Sequence, residues 1–209
     1  MASSVQRRWH VQAGPGAARP FDDRTALVVV DVQNDFAHPG GSLSVQGGEQ
    51  VAGRVNQLVR EARAAGAFVV YTQDWHPQQT PHFVDSGGTW PRHCVQDTWG
   101  ARFVEGLAVD GPVVQKGSAG EDGYSGFSVR DPPTGSVHPT ALDRMLRERG
   151  IERVVGVGIA QDVCVKETAL DARRLGYATA VLADATRPVD PAQGAVALTA
   201  LREAGVEVA

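Results

Sequence analysis

Cysteine is scarce in this chain: its 209 residues carry two, Cys94 and Cys164. Two thiols cannot build a disulfide framework. Unless they form a single bridge, the expectation is a pair of reduced thiols in a cytoplasmic protein. Long apolar runs are also missing, and nothing approaches the roughly 18 consecutive apolar residues of a membrane span. Residues 1–20 place Arg7 and Arg8 near the start but have no apolar stretch behind them, so no secretory signal is expected. Lys and Arg number 20 against 24 Asp and Glu, for a net charge of −4 and a pI near 5.8. No basic stripe gathers, and a nucleic-acid partner is not expected. Internal repeats and low-complexity blocks are absent.

What remains is the composition of an ordinary globular domain, 42% hydrophobic and 21% charged, able to bury a sizeable core. Length favours one domain, assigned here to residues 23–209. Residues 1–22, rich in Ser, Gly, Ala and Pro, read as an N-terminal extension, either loosely ordered or packed on a neighbouring subunit.

From Thr25 onward, short β-branched runs alternate with helical periodicity. Ala26–Val32, Ala67–Gln73, Gly111–Lys116, Arg153–Ile159, Tyr177–Ala183 and Val206–Val208 read as strands. Helices are expected over Gly48–Ala64, His138–Gly150, Asp162–Leu175 and Pro191–Glu203. Repeated strand–helix–strand units imply an α/β fold: a three-layer (αβα), Rossmann-like arrangement around a mostly parallel six-stranded sheet. Ligands of such sheets bind beyond the carboxyl ends of the strands. Asp31, Asp74, His76, Lys116 and Cys164 all fall there. The segment Asp74–Gly100 is too long for an ordinary connection. It holds three of the six histidines and three of the four tryptophans, which marks it as functional.

Cys164 is expected at a helix N-terminus, where the helix dipole and unpaired N–H groups favour thiolate and can also receive an oxyanion. Asp31 can take the thiol proton and deliver it to a leaving amine. Lys116 can hold Asp31 ionised or help hold the thiolate. Asp74 and His76, two residues apart in extended chain, point the same way. With His93 they form a set suited to Zn²⁺, Fe²⁺ or Mn²⁺ with open positions, and His82 is a candidate fourth ligand.

The stretches VVDVQNDF (29–36) with GGSL (40–43), QDWHPQQTPHF (73–83), WPRHC (90–94), QKG (115–117), YSGF (124–127) and GIAQDVCV (158–165) occur in this order. Together they resemble the nicotinamidase/pyrazinamidase branch of the isochorismatase-like cysteine hydrolases, across nearly the whole chain from Thr25. The resemblance implies an Asp31–Lys116–Cys164 triad and one divalent metal, zinc foremost with iron or manganese as alternatives. Its ligands would be Asp74, His76 and His93, joined by His82 in some members. It further implies an oxyanion hole from the backbone N–H groups of Ala160 and Cys164, and a cis bond between Ile159 and Ala160. Phe36, Trp90 and Tyr124 would flank a flat aromatic amide. The implied reaction is nicotinamide to nicotinate and ammonia through a Cys thioester, in a homo-oligomer acting on a small molecule.

Three departures bear on the substrate. Gln161 stands where nicotinamidases usually have Thr. The stretch Ala37-His38-Pro39 is longer than in compact members, and residues 119–140 could form a lid. The alternative within the family is hydrolysis of another amide or lactam, such as that of a streptothricin-type antibiotic. A non-catalytic binding domain is the alternative of another class.

Overall fold

In the computed structural model, residues 21–209 are described. The expected N-terminal extension lies outside them, save for Phe21, which is buried in the core, and Asp22. In chain order the elements are β1 (Thr25–Val30), α1 (Asn34–Ala37), α2 (Val51–Ala64), β2 (Phe68–Asp74), β3 (Val113–Lys116), β4 (Ser128–Arg130) and β5 (Val137–Pro139). They continue with α3 (Leu142–Arg147), β6 (Arg153–Ile159), α4 (Lys166–Arg174), β7 (Ala178–Arg187), α5 (Pro191–Glu203) and β8 (Glu207–Val208).

All six residues of β1 are buried, as its unbroken apolar run requires of a strand covered on both faces. Leu27 and Val29 join the core cluster containing Val55, Leu58, Val59 and Ala62 of α2. Ala26, Val28 and Val30 join the opposite cluster, which holds Leu142 and Leu146 of α3, Ala169 and Ala172 of α4 and Leu201 of α5. The result is the expected three-layer α/β fold. Its six-stranded sheet runs β3-β2-β1-β6-β7-β8 with every pairing parallel. The chain winds outward from β1 to β3, then restarts at β6 and winds the other way. The switch point, where such sheets bind ligands, therefore lies beyond the ends of β1 and β6. Asp31 follows the first of these strands, and the turn that carries Cys164 follows the second.

Differences from the sequence reading have local causes. The helix expected over His138–Gly150 is confined to Leu142–Arg147, and His138 and Pro139 instead belong to a β4–β5 antiparallel ribbon. Proline drives the residue before it toward extended backbone, and Thr140 Oγ1 accepts the Leu142 N–H at 3.1 Å, so the helix starts after it. Strand β7 runs four residues past Ala183 to Arg187, through a register irregularity. The expected helix from Asp162 opens as a π-helical turn, Gln161–Val165, before α4. Among the described residues, no helix is long and apolar enough to cross a membrane.

Candidate active site

Asp31 sits immediately after β1 with φ +47°, a left-handed conformation that few residues other than glycine adopt. Its N–H donates to the Thr72 carbonyl at 3.3 Å, and its own carbonyl accepts the Gln33 N–H at 2.7 Å. The side chain is fully buried. One carboxylate oxygen accepts the Thr72 hydroxyl at 2.7 Å, and the other lies 2.8 Å from Lys116 Nζ. Lys116 ends β3 and is buried too; its ammonium also meets the Asp74 carboxylate and the Gly123 carbonyl. The Cys164 sulfur is 3.9 Å from the same nitrogen. Donor atoms of Asp31, Asp74 and Cys164 all lie within 4.8 Å of one another. Asp31, Asp74 and Cys164 thus meet around the buried Lys116 ammonium.

Burial raises the Asp31 carboxyl to about 6, against the pull of Lys116. For Lys116, burial acts to lower the ammonium, but Asp31 and Asp74 outweigh it and hold it well above its ordinary range. The Cys164 thiol departs from the sequence expectation of a favoured thiolate. Burial pushes it well above the usual thiol range, although Lys116 pulls it down. Desolvation of the largely buried sulfur outweighs the lysine, so burial favours the thiol over the thiolate beside Asp31.

The imidazoles of His76, His82 and His93 present ring nitrogens within 4.8 Å of one another, and all three residues are buried. Asp74 Oδ2 stands 3.9 Å from Nε2 of both His76 and His93. Second partners orient two of the rings: His82 Nδ1 pairs with Asp122 Oδ1 at 2.6 Å, and His93 Nδ1 with the Pro91 carbonyl at 2.8 Å. His76 has no such partner. Both its ring nitrogens lack a hydrogen bond among the described residues, and burial lowers its pKa to about 3. A neutral, enclosed imidazole with an unused ring-nitrogen lone pair, facing two more imidazoles and a carboxylate, fits a divalent metal ion. Gly117 makes room for it: at φ +72° a Cβ would stand 2.4 Å from His76 Cε1. The long loop is tied in place by its backbone, with His76 N donating to the Cys94 carbonyl at 3.0 Å and Gln96 N to that of His76 at 2.8 Å.

Cys164 shares one pocket with Asp74, His82 and His93 of this cluster, lined also by Phe36, Leu43, Trp90, Tyr124, Ala160 and Val163 among others. Phe36, Trp90 and Tyr124 are thus all at the pocket, and Trp90 Nε1 donates to the Tyr124 hydroxyl at 2.9 Å. The Ile159–Ala160 peptide is cis. His38, by contrast, is exposed, with its ring edge-on to Trp99 at 5.0 Å. Gln161 is buried beside Gly194 of α5 and is not part of the pocket lining. Residues 122–124 of the supposed lid are integral to the site through Asp122, Gly123 and Tyr124.

Sequence reasoning missed several supports. Thr72 fixes Asp31, and Gln33 exchanges two hydrogen bonds with the Asp74 backbone, both at 2.8 Å. Asp35 accepts the Cys94 N–H at 2.7 Å. Gln33 and Asp35 were visible as members of VVDVQNDF, without a role. Thr72 and Asp122 carried no signal.

The family model of the isochorismatase domain matches residues 25–209. The nicotinamidase/pyrazinamidase of Mycobacterium tuberculosis is 43% identical over 188 residues, covering 88% of this chain and 97% of that protein. Among solved structures, the pyrazinamidase of Pyrococcus horikoshii in complex with zinc is similar with a TM-score of 0.80 at 38% identity, covering 89% of this chain and 98% of the other. A protein from L. infantum in complex with nicotinate is similar with a TM-score of 0.82 at 37% identity, over 90% and 94% of the two chains. The chain belongs to the isochorismatase-like cysteine hydrolases, in their nicotinamidase/pyrazinamidase branch.

Proposed function

We propose that the protein hydrolyses nicotinamide to nicotinate and ammonia, with Cys164 as nucleophile. The observation that carries this reading is the convergence of the Asp31 carboxylate and the Cys164 sulfur on the buried Lys116 ammonium, at 2.8 and 3.9 Å. The aromatic-walled pocket opens onto the same sulfur.

The Cys164 thiol gives its proton to Asp31 as sulfur attacks the amide carbonyl carbon. Lys116 offsets negative charge as it passes between sulfur and carboxylate. The backbone N–H groups of Ala160 and Cys164 receive the developing oxyanion. Asp31 then hands the proton to the amide nitrogen, the C–N bond breaks and ammonia leaves a thioester. Asp31 next takes a proton from water, whose oxygen attacks the thioester; the C–S bond breaks, nicotinate forms and the proton returns to sulfur. Phe36, Trp90 and Tyr124 hold the ring flat. Asp74, His76, His82 and His93 would hold a divalent ion, for which zinc suits the donor set, and the bound ion supplies a Lewis-acid anchor for the ring nitrogen.

Ammonia release from nicotinamide and pyrazinamide by the metal-loaded protein tests the proposal. Silence from folded, loaded protein would move the substrate to another amide or lactam. Because Asp31 must be ionised to accept the thiol proton, and burial raises it to about 6, kcat/KM is expected to climb as pH rises through about 6 and then level off. Asp31→Asn removes that limb together with about 10²–10⁴-fold of the rate. The metal assignment has its own check. Asp122→Asn leaves His82 poorly oriented, and competition with a chromogenic chelator should register a loss of Zn²⁺ affinity of about 10–100-fold.

A further inference from the structure

Asp162 lies two residues before the nucleophile and has no part in the chemistry above. Both of its carboxylate oxygens accept N–H groups from one loop. Val189 N donates to Oδ1 at 2.9 Å, and Asp190 N donates to Oδ2 at 3.1 Å. That loop leads from β7 into α5, where Asp190 accepts the Ala192 N–H at 2.8 Å as the helix cap. Helix α5 approaches so closely that a Cβ on Gly194 would lie 2.8 Å from Pro188 Cβ and 3.6 Å from Gln161 Oε1. Two charge-assisted hydrogen bonds therefore bracket the Cys164 turn to the loop and to α5.

The bracket stands at a partition. Val163, next to Asp162, and Val189 both line the nucleophile's pocket together with Trp90. The same three residues line a second, outer hollow whose other walls include Lys166, Gln193 and Val196. Val189 is 47% exposed, and its N–H is held by Asp162.

We infer that Asp162 is a positioning residue that limits substrate size: by fixing Val189 beside Val163 it closes the inner pocket toward the outer hollow and restricts the enzyme to single-ring amides. This rests on the amidase reading, but one arm of the test does not. Asp162→Ala removes both acceptors, whereas Asp162→Asn keeps one and turns a donor toward the other N–H. The first arm compares kcat/KM for nicotinamide and for quinoline-3-carboxamide. The second compares alkylation of Cys164 by iodoacetamide and by N-phenyliodoacetamide, located by peptide mass spectrometry.

In Asp162→Ala the bulky-to-small ratio should rise about 10-fold in both arms, the lower range of what a changed pocket wall gives, with KM for nicotinamide increased. Asp162→Asn should fall between, and Val189→Gly should reproduce the shift with little added in the double variant. A merely structural Asp162 would lower both rates together as the folded fraction drops and leave both ratios unchanged, which overturns the inference. If wild-type protein does not act on nicotinamide, the nicotinamide reading fails while the alkylation ratio still decides the partition.

Discussion

Replacing Cys164 by alanine should lower amide hydrolysis by about 10⁴-fold or more, the scale seen when the nucleophile of a coupled catalytic group is removed. The size follows from where the other groups stand. In the proposed mechanism Asp31 and Lys116 act through the sulfur, and Lys116 is already committed to two carboxylates and a carbonyl. Without sulfur, only pocket binding and the backbone N–H groups remain. The fold should survive, because Cys164 contributes one small buried side chain to its core cluster, and truncating it to alanine leaves a void costing about 1 kcal/mol. Steady-state ammonia release alongside urea denaturation separates the two effects. Near-normal turnover in the variant would rule out a Cys164 thioester and move the nucleophile elsewhere in the site. Loss of turnover in step with loss of folded protein would show that the residue is structural.

Much of this arrangement is legible in the sequence wherever one local rule decides. The β-branched runs of β1 and β6 are buried on both faces and read directly as parallel strands. In α2 the apolar period and the buried stripe of Val55, Leu58, Val59 and Ala62 coincide. Strand β7 is cut short in the reading because Asp184, Thr186 and Arg187 break its apolar run, while the chain keeps pairing with β6 through Gly158 and Ile159. A π-helical turn at Gln161–Val165 differs from an α-helical one by a single hydrogen-bond step, for which these residues carry no mark. At the site, Asp31 and Lys116 are found because strand ends converge by topology. Thr72 and Asp122 are not, since each touches its partner across a separation of 40 residues or more. The direction of the thiol's shift is illegible for a related reason. A helix start is visible in sequence, but burial of the sulfur is a property of the packed molecule, and its desolvation outweighs the pull of Lys116.

Lys116→Met should cost about 3–5 kcal/mol of stability at neutral pH, the range for stripping one partner from a buried ion pair. Methionine fills much of the space, so the loss is electrostatic: Asp31 and Asp74 would stay buried and close together without the ammonium that both contact. The pH dependence gives the cause away. In the wild type, burial acts to raise Asp74, but Lys116 and the nearby histidines hold it below its ordinary value, while Asp31 is already raised to about 6. Removing the lysine moves both carboxyls upward. A carboxyl whose folded pKa exceeds its unfolded one binds its proton more tightly in the native state, so stability falls as pH climbs from the unfolded value toward the folded one. The deficit of Lys116→Met should therefore be smallest near pH 4, where both carboxyls can be protonated in the fold, and largest above about pH 7. Urea midpoints for wild type and variant across that span, taken in chelator so that metal binding adds nothing, measure it directly. A deficit that is flat with pH would mean that the lysine's role is packing, and that the charge arrangement assigned to the site is wrong.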